Sequence, residues 1–112
     1  MGENKYPGPD RRKYFRIEYP PEARPLLTIG KKTFPVMDIS EKGIRFLNDK
    51  QAKFADWVKG VLTFHDGDAL EFEGKIVWER GGELGVQIVV TPIPPARVFA
   101  EQRYLVSREK QN

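Results

Sequence analysis

Thr33-Phe-Pro-Val-Met-Asp-Ile-Ser-Glu-Lys-Gly-Ile-Arg-Phe-Leu47 is the stretch on which the reading of this chain turns. Phe34 and Val36, with Met37, supply the inward side of a strand over Thr33–Ile39, and Ile44–Leu47 reads as the next strand. Pro35 cannot donate to a ladder, so it marks an edge or a bulge. Where the first strand hands over to the second, Asp38, Ser40 and Gly43 spell D-x-S-x-x-G. A carboxylate, a hydroxyl and a turn glycine thus sit together between two short β-strands.

Working outward, the same grammar repeats. Leu26–Ile29 is a brief apolar run closed by Gly30-Lys31-Lys32, a hairpin turn. Val61–Phe64 and Ala69–Phe72 flank His65-Asp66-Gly67-Asp68, a hairpin with Asp-Gly at its tip. Gly74 bends a continuing strand, Lys75–Glu79, and Gly81-Gly82 turns it back into Leu84–Val90. Six strands in succession with tight turns predict an all-β dominated fold, a closed or nearly closed antiparallel barrel. Between Lys50 and Gly60 the period changes: Phe54, Trp57 and Val58 fall at i, i+3, i+4 and predict a short helical turn. A C-terminal α-helix over residues 94–110 follows, with Pro94-Pro95 in its first turn, Val98, Phe99, Leu105 and Val106 as its apolar stripe, and Arg108 and Lys110 at its negative end. Residues 1–10 read as a flexible leader, and one domain fills 11–112: an arm over 11–23 stiffened by Pro20-Pro21, a barrel over 24–91, and the helix.

With 112 residues there is room for one core. The absence of cysteine excludes a disulfide scaffold, a thiolate metal site and a cysteine nucleophile. Neither a membrane-length apolar run nor an apolar signal core is present, so the expectation is a cytoplasmic protein without membrane insertion. The net charge is only +3, yet residues 5–16 gather Lys5, Arg11, Arg12, Lys13 and Arg16 against Asp10 alone. That is a local anion site, not the broad basic face of a duplex-binding protein.

Arg12 and Arg16 form R-x-x-x-R just ahead of the first strand. On a helix they would share one face, and in an extended arm they would keep the same parity, so either geometry lets both reach one ligand. A guanidinium fork binds phosphate bidentately and matches guanine O6 and N7. Asp38 can accept from the N1–H and N2–H2 of guanine together, Ser40 offers a rotatable donor and acceptor, and Gly43 lets a ligand approach the backbone. Together the motifs offer what a guanine nucleotide needs. Taken singly, the first also reads as a solvated charge run and the second as an Asx or Ser turn.

In this order, before and inside a run of strands, the two motifs resemble the PilZ domain, the bacterial receptor for cyclic di-GMP. The resemblance covers about residues 11–106 and implies a six-stranded barrel with a C-terminal helix. It implies that Arg12 and Arg16 carry phosphate and guanine contacts and that Asp38, Ser40 and Gly43 line the guanine site. Arg11, immediately before R-x-x-x-R, is linked in the family to an intercalated ligand dimer, hence two ligands per protomer; a third guanidinium offsets part of the repulsion among four phosphate charges. Trp78 reads as buried core, with a site-facing ring as the alternative, and Gly85 as a close-packing glycine. Tyr14 and Phe15 either stack on bases or dock the arm on the barrel. His65 has no second ligand nearby, so no metal site is expected, nor any cofactor.

No histidine relay, phosphate-cradling glycine loop or metal-spaced carboxylate pair points to an enzyme, and no catalytic residue is assigned. The resemblance implies signalling to an unidentified effector protein in trans, by an arm that orders on ligand. Two alternatives keep the small barrel: single-stranded nucleic-acid binding, and a ligand-independent adaptor, against which the retention of all five motif residues argues.

Overall fold

Turn chemistry and alternation divide the chain into short strands, and the computed structural model, which describes residues 14–110, places them as follows. Strand β1 is Ile17–Glu18, followed by a 3-10 turn at Pro21–Ala23; β2 is Leu26–Ile29, β3 Lys32–Ser40, β4 Gly43–Leu47, β5 Trp57–Thr63, β6 Ala69–Arg80 and β7 Glu83–Val90. Helix α1 spans Pro95–Lys110. The strand order is β1-β3-β2-β5-β6-β7-β4, every pairing antiparallel, and β4 pairs back onto β3. Strands β2 to β7 therefore close into the expected six-stranded barrel, with β1 as an extra strand beside β3. Closure removes the free edges that an open sheet would present.

The hairpins obey their turn residues. Arg80 pairs with Glu83, and the two residues between, Gly81 and Gly82, both have positive φ, +58° and +83°, as a tight right-twisting hairpin requires. The barrel is filled, not hollow. Leu27, Phe34, Val36, Ile39, Phe46 and Leu62 are fully buried inside it. The rings of Phe34, Phe46 and Phe54 meet with centroids 5.5–5.7 Å apart in tilted and edge-on contacts. Burying each such side chain contributes about 1.5–3 kcal/mol, so the aromatic trio is a principal source of stability.

Three register slips interrupt the ladders, one of them between Glu73 and Gly74 of β6, and the other two shape one outer face of the barrel. In β3 the register slips between Val36 and Asp38: Val36 faces Phe46 inside, while Asp38 already faces Arg45 on the outer surface. Pro35 marks the right strand, but it is paired with Leu26 and the irregularity falls just beyond it. In β6 the slip that shapes this face lies between Ile76 and Trp78. Ile76 opposes the buried Val86, and Trp78 opposes Gly85 on the outside.

The helical turn expected within Lys50–Gly60 is not there. Residues 51–55 form an irregular segment, pinned by the Asn48 side chain, which donates to the Ala52 carbonyl and accepts from the Ala52 N–H. Phe54 turns into the core from this segment, while Val58 and Leu62 point inward by strand alternation. A helical spacing thus arose from two different structures meeting. The helical turn lies instead at Pro21–Ala23, after Pro20 with φ −66°.

Helix α1 turns a different face inward from the one expected. Val98 and Leu105 join the core, but Phe99 and Val106 are exposed and Glu101 is buried between them in sequence. The Glu101 carboxylate accepts from the Tyr19 hydroxyl at 2.7 Å and from Arg97 at 2.8 Å, and His65 Nδ1 lies 3.2 Å away. Burial, reinforced by Glu101, pushes the Tyr19 hydroxyl well above the usual tyrosine range. Arg97 stacks over the Phe64 ring at 4.1 Å and grips Asp66 with both nitrogens. Those hydrogen bonds, with one from the Asp68 N–H, hold the Asp66 carboxyl at about 2. This network fixes the rotation of α1 where apolar area alone would favour Phe99.

Gly74, buried in β6, marks a close strand approach: a Cβ there would collide with the Gln87 carbonyl on β7. Backbone cannot swing aside as a side chain can. Gly74→Ala is therefore expected to lose about 1–3 kcal/mol of stability, read as a lowered urea midpoint at unchanged slope.

Candidate functional site

The β3 bulge places Asp38 and Ser40 on the outer face of the barrel, where the β3–β4 turn brings Gly43 directly opposite Ser40. A Cβ on Gly43 would lie 3.2 Å from the Ser40 hydroxyl, so glycine leaves that oxygen accessible. Next across the sheet come Arg45 on β4, Gly85 and Gln87 on β7, and Val77 and Trp78 on β6. These residues line an open cleft of about 330 Å³ to which Arg16 also contributes. A slightly larger hollow of about 370 Å³ carries Lys59, Glu71 and Glu73 but no motif residue; its size alone gives it no claim.

Asp38 is the centre of the cleft. It is only 4% exposed, a severe position for a carboxylate unless compensated. Compensation comes from Arg45, whose Nε donates to Asp38 Oδ2 at 2.6 Å. Arg45 Nη1 in turn donates to Glu83 at 3.0 Å. Partial burial pulls the Arg45 guanidinium down, but the bonds and charges of Asp38 and Glu83 outweigh it and leave the net shift upward. Arg16 Nη1 stands 4.0 Å from the same Asp38 oxygen, at the limit of an ion pair, with its side chain 38% exposed. One guanidinium is committed to the carboxylate, and the other hangs over the cleft mouth.

Arg16 reaches this place through β1, where Glu18 pairs with Asp38 and Ile17 with Ile39. Phe15, just before it, stacks on Phe99 of α1 with centroids 5.8 Å apart and planes at 18°. The sequence predicts arm aromatics that either stack on bases or dock on the barrel; Phe15 instead docks on the helix. Trp78 is not core: it is 41% exposed, and its ring covers Gly85 so closely that a Cβ on Gly85 would overlap the indole. The bulge before Trp78 turns the ring outward onto the cleft wall.

Arg16, Asp38, Ser40, Gly43, Trp78 and Gly85 therefore meet in one place. Arg11 and Arg12 lie outside the described residues. Arg45 is the residue that sequence reasoning missed. Its signal was its outward position between Ile44 and Phe46, but only the bulge reveals that Asp38 shares that face. Among the described residues no cluster of three or more His, Asp or Glu is arranged to hold a metal. No described helix is long and apolar enough to cross a membrane.

A closed barrel carrying an arginine, a buried carboxylate, a serine and a glycine around one outer cleft defines a small β-barrel module. Residues 10–103 match the model of the PilZ domain, and the chain belongs to that family. Solved structures that share the fold include the following two. An uncharacterized Legionella protein, Lpg0364, superposes with a TM-score of 0.63 at 14% identity, covering 88% of this chain and all of its own. YcgR from Escherichia coli, solved in complex with c-di-GMP, gives a TM-score of 0.52 at 21% identity over 90% of this chain. This chain spans about half the length of YcgR, 47%. No curated protein matches the sequence.

Because Gly85 is shielded by a side chain rather than by backbone, Gly85→Ala is expected to fold. The added methyl lifts Trp78 off β7 at a cost of about 1–3 kcal/mol. In a Trp57→Phe background, leaving Trp78 as sole reporter, emission should shift to the red relative to the glycine parent.

Proposed function

We propose that this PilZ domain is a receptor for cyclic di-GMP, not an enzyme, acting without a cofactor in the bacterial cytoplasm. The observation that carries the reading is the meeting of Arg16 with Asp38, Ser40 and Gly43 at one outer cleft. A buried carboxylate beside a hydroxyl suits the N1–H and N2–H2 edge of guanine, and an exposed guanidinium at the mouth suits a phosphodiester. Trp78, half exposed on the cleft wall, offers a flat face to a purine. The complex of the structural relative YcgR with c-di-GMP is consistent with the same ligand class.

The finer reading concerns the arm. Arg11 and Arg12 precede Arg16 closely enough to fold over the same cleft, and Arg11 supplies the third cation for a stacked ligand pair, two per protomer. Folding Arg11–Lys13 onto the cleft, beyond the residues Tyr14–Arg16 that the structure already places, costs about 3–6 kcal/mol of backbone entropy, and several charge-assisted bonds at about 1.5–3 kcal/mol each are of the size needed to offset it. Since Phe15 rests on α1, an arm drawn toward the cleft also alters the surface shared by arm and helix. An effector protein reading that surface completes the switch.

Titration calorimetry should give micromolar or tighter binding of cyclic di-GMP, with cyclic di-AMP and linear RNA at least about a hundredfold weaker. Arg12→Ala and Arg16→Ala should abolish binding and Asp38→Ala weaken it strongly, with circular dichroism unchanged. The ratio should be two ligands per chain, falling toward one in Arg11→Leu. Absence of heat or chemical-shift change at high ligand concentration overturns the receptor reading; tight salt-sensitive binding of linear RNA replaces it with the nucleic-acid one.

Trypsin tests the arm. Arg11, Arg12, Lys13 and Arg16 are all cleavage sites. Cleavage after Arg11, Arg12 and Lys13 should be rapid in the free protein and at least about tenfold slower with saturating cyclic di-GMP, whereas the bond after Arg16 leads into the buried Ile17 of β1 and should be cut slowly throughout. Equal rates would mean that the arm is not the moving part.

A further inference from the structure

Arg45 stands outside both motifs, yet it makes the shortest polar contact in the cleft. Its Nε donates to Asp38 Oδ2 at 2.6 Å, and its Nη1 is tethered to Glu83 at 3.0 Å. Three strands thus contribute to one chain of charges: Asp38 from β3, Arg45 from β4 and Glu83 from β7. Asp38 is 5% exposed in its side chain, Arg45 27% and Glu83 33%, so the chain runs from a buried end to a wet one. The other cation, Arg16, is at 4.0 Å and more exposed, too distant to hold the carboxylate in one rotamer.

We infer that Arg45 is a positioning residue that aims the Asp38 carboxylate and thereby sets the selectivity of the cleft for guanine. The inference rests on the cyclic di-GMP reading above. A carboxylate oxygen has two lone pairs, so Oδ2 can accept from Arg45 and still accept a base N–H while Oδ1 takes the second. Reading a two-donor edge requires both oxygens to lie in the plane of that edge. An Asp side chain free to rotate does not keep them there; one bonded to a guanidinium fixed at its far end does. Arg45 also supplies the charge that lets Asp38 stay buried on a face meant for a ligand. Its Nε and Nη1 are engaged by Asp38 and Glu83 within the protein, which fixes the plane of the guanidinium, so the role assigned to it is exerted through Asp38.

Affinity alone would not separate aiming from general support, so the test is a ratio. Cyclic di-GMP is compared with cyclic di-IMP, whose hypoxanthine bases keep N1–H and O6 but lack the exocyclic amine that Asp38 would bond. The wild-type protein should prefer cyclic di-GMP by about tenfold or more. Arg45→Leu should bind cyclic di-GMP about ten- to a hundredfold more weakly, and its preference over cyclic di-IMP should fall below about threefold. Arg45→Lys keeps a cation but cannot bridge Asp38 to Glu83, and should recover affinity without recovering the ratio. Glu83→Gln, a mild change at a partly exposed site, should lower the ratio part of the way even if Arg45→Leu fails to fold. A full wild-type ratio in Glu83→Gln and in Arg45→Lys or Arg45→Leu overturns the role of Arg45 while leaving the receptor reading in place. A wild-type protein that binds neither dinucleotide overturns both.

Discussion

The cleft depends on two extra residues in two strands. In regular alternation, Val36 facing inward would send Asp38 inward as well, and Ile76 would do the same to Trp78. Each strand instead slips register by one residue at that point. Asp38 emerges beside Arg45, and Trp78 emerges over Gly85. Because β3 and β6 flank the adjacent pair β4–β7, the two bulges face each other across two strands. They supply the two walls between which a ligand can lie. A one-residue change of parity is what separates a packed core from a binding surface.

Electrostatics then decides how the exposed face is held. A carboxylate buried to the degree of Asp38 costs several kcal/mol unless paired, more than one surface ion pair of about 0–1 kcal/mol can return. Arg45, half sheltered and anchored by Glu83, belongs to a stronger class of contact than Arg16 at 4.0 Å. The division is useful: one arginine holds the acceptor in place, and the other remains available. A parallel arrangement occurs where α1 meets the barrel, with Glu101 buried between Tyr19 and Arg97. In both places the buried acid, not the apolar residues around it, selects one orientation from several that hydrophobic burial would accept.

Much of this was legible in the sequence because turns and alternation are local. Gly81-Gly82, Asp66-Gly67 and Gly30-Lys31 announced the hairpins, and the barrel followed from their number. The residues Asp38, Ser40 and Gly43 were legible as chemistry, since few residue types combine an acceptor, a hydroxyl and a bare backbone in six positions. What escaped depended on parity or on distant partners. Trp78 read as core because a bulge has no fixed residue signature. Arg45 could not be attached to Asp38 while Asp38 was still counted on an unassigned face. Phe54, Trp57 and Val58 imitated a helix because an irregular segment and a strand happened to present apolar residues at that spacing. Phe99 lost its place in the helix–barrel contact to Glu101, whose partners Tyr19 and Arg97 are brought together only by the fold.

The aromatic filling of the barrel has a further consequence. With Phe34, Phe46 and Phe54 occupying the interior, the cleft lies on the outside of the barrel and meets the core only at Ile44 and Val86. The two inheritances can therefore drift apart. A descendant could exchange Arg16, Ser40 or Trp78 for other residues and keep the same folding nucleus, trading one chemical message for another or falling silent. Asp38 is the exception, since its burial ties it to Arg45, and the two would have to change together. An evolving lineage would thus be expected to vary its arm and its aromatic wall freely, and to alter the paired acid and arginine only in step.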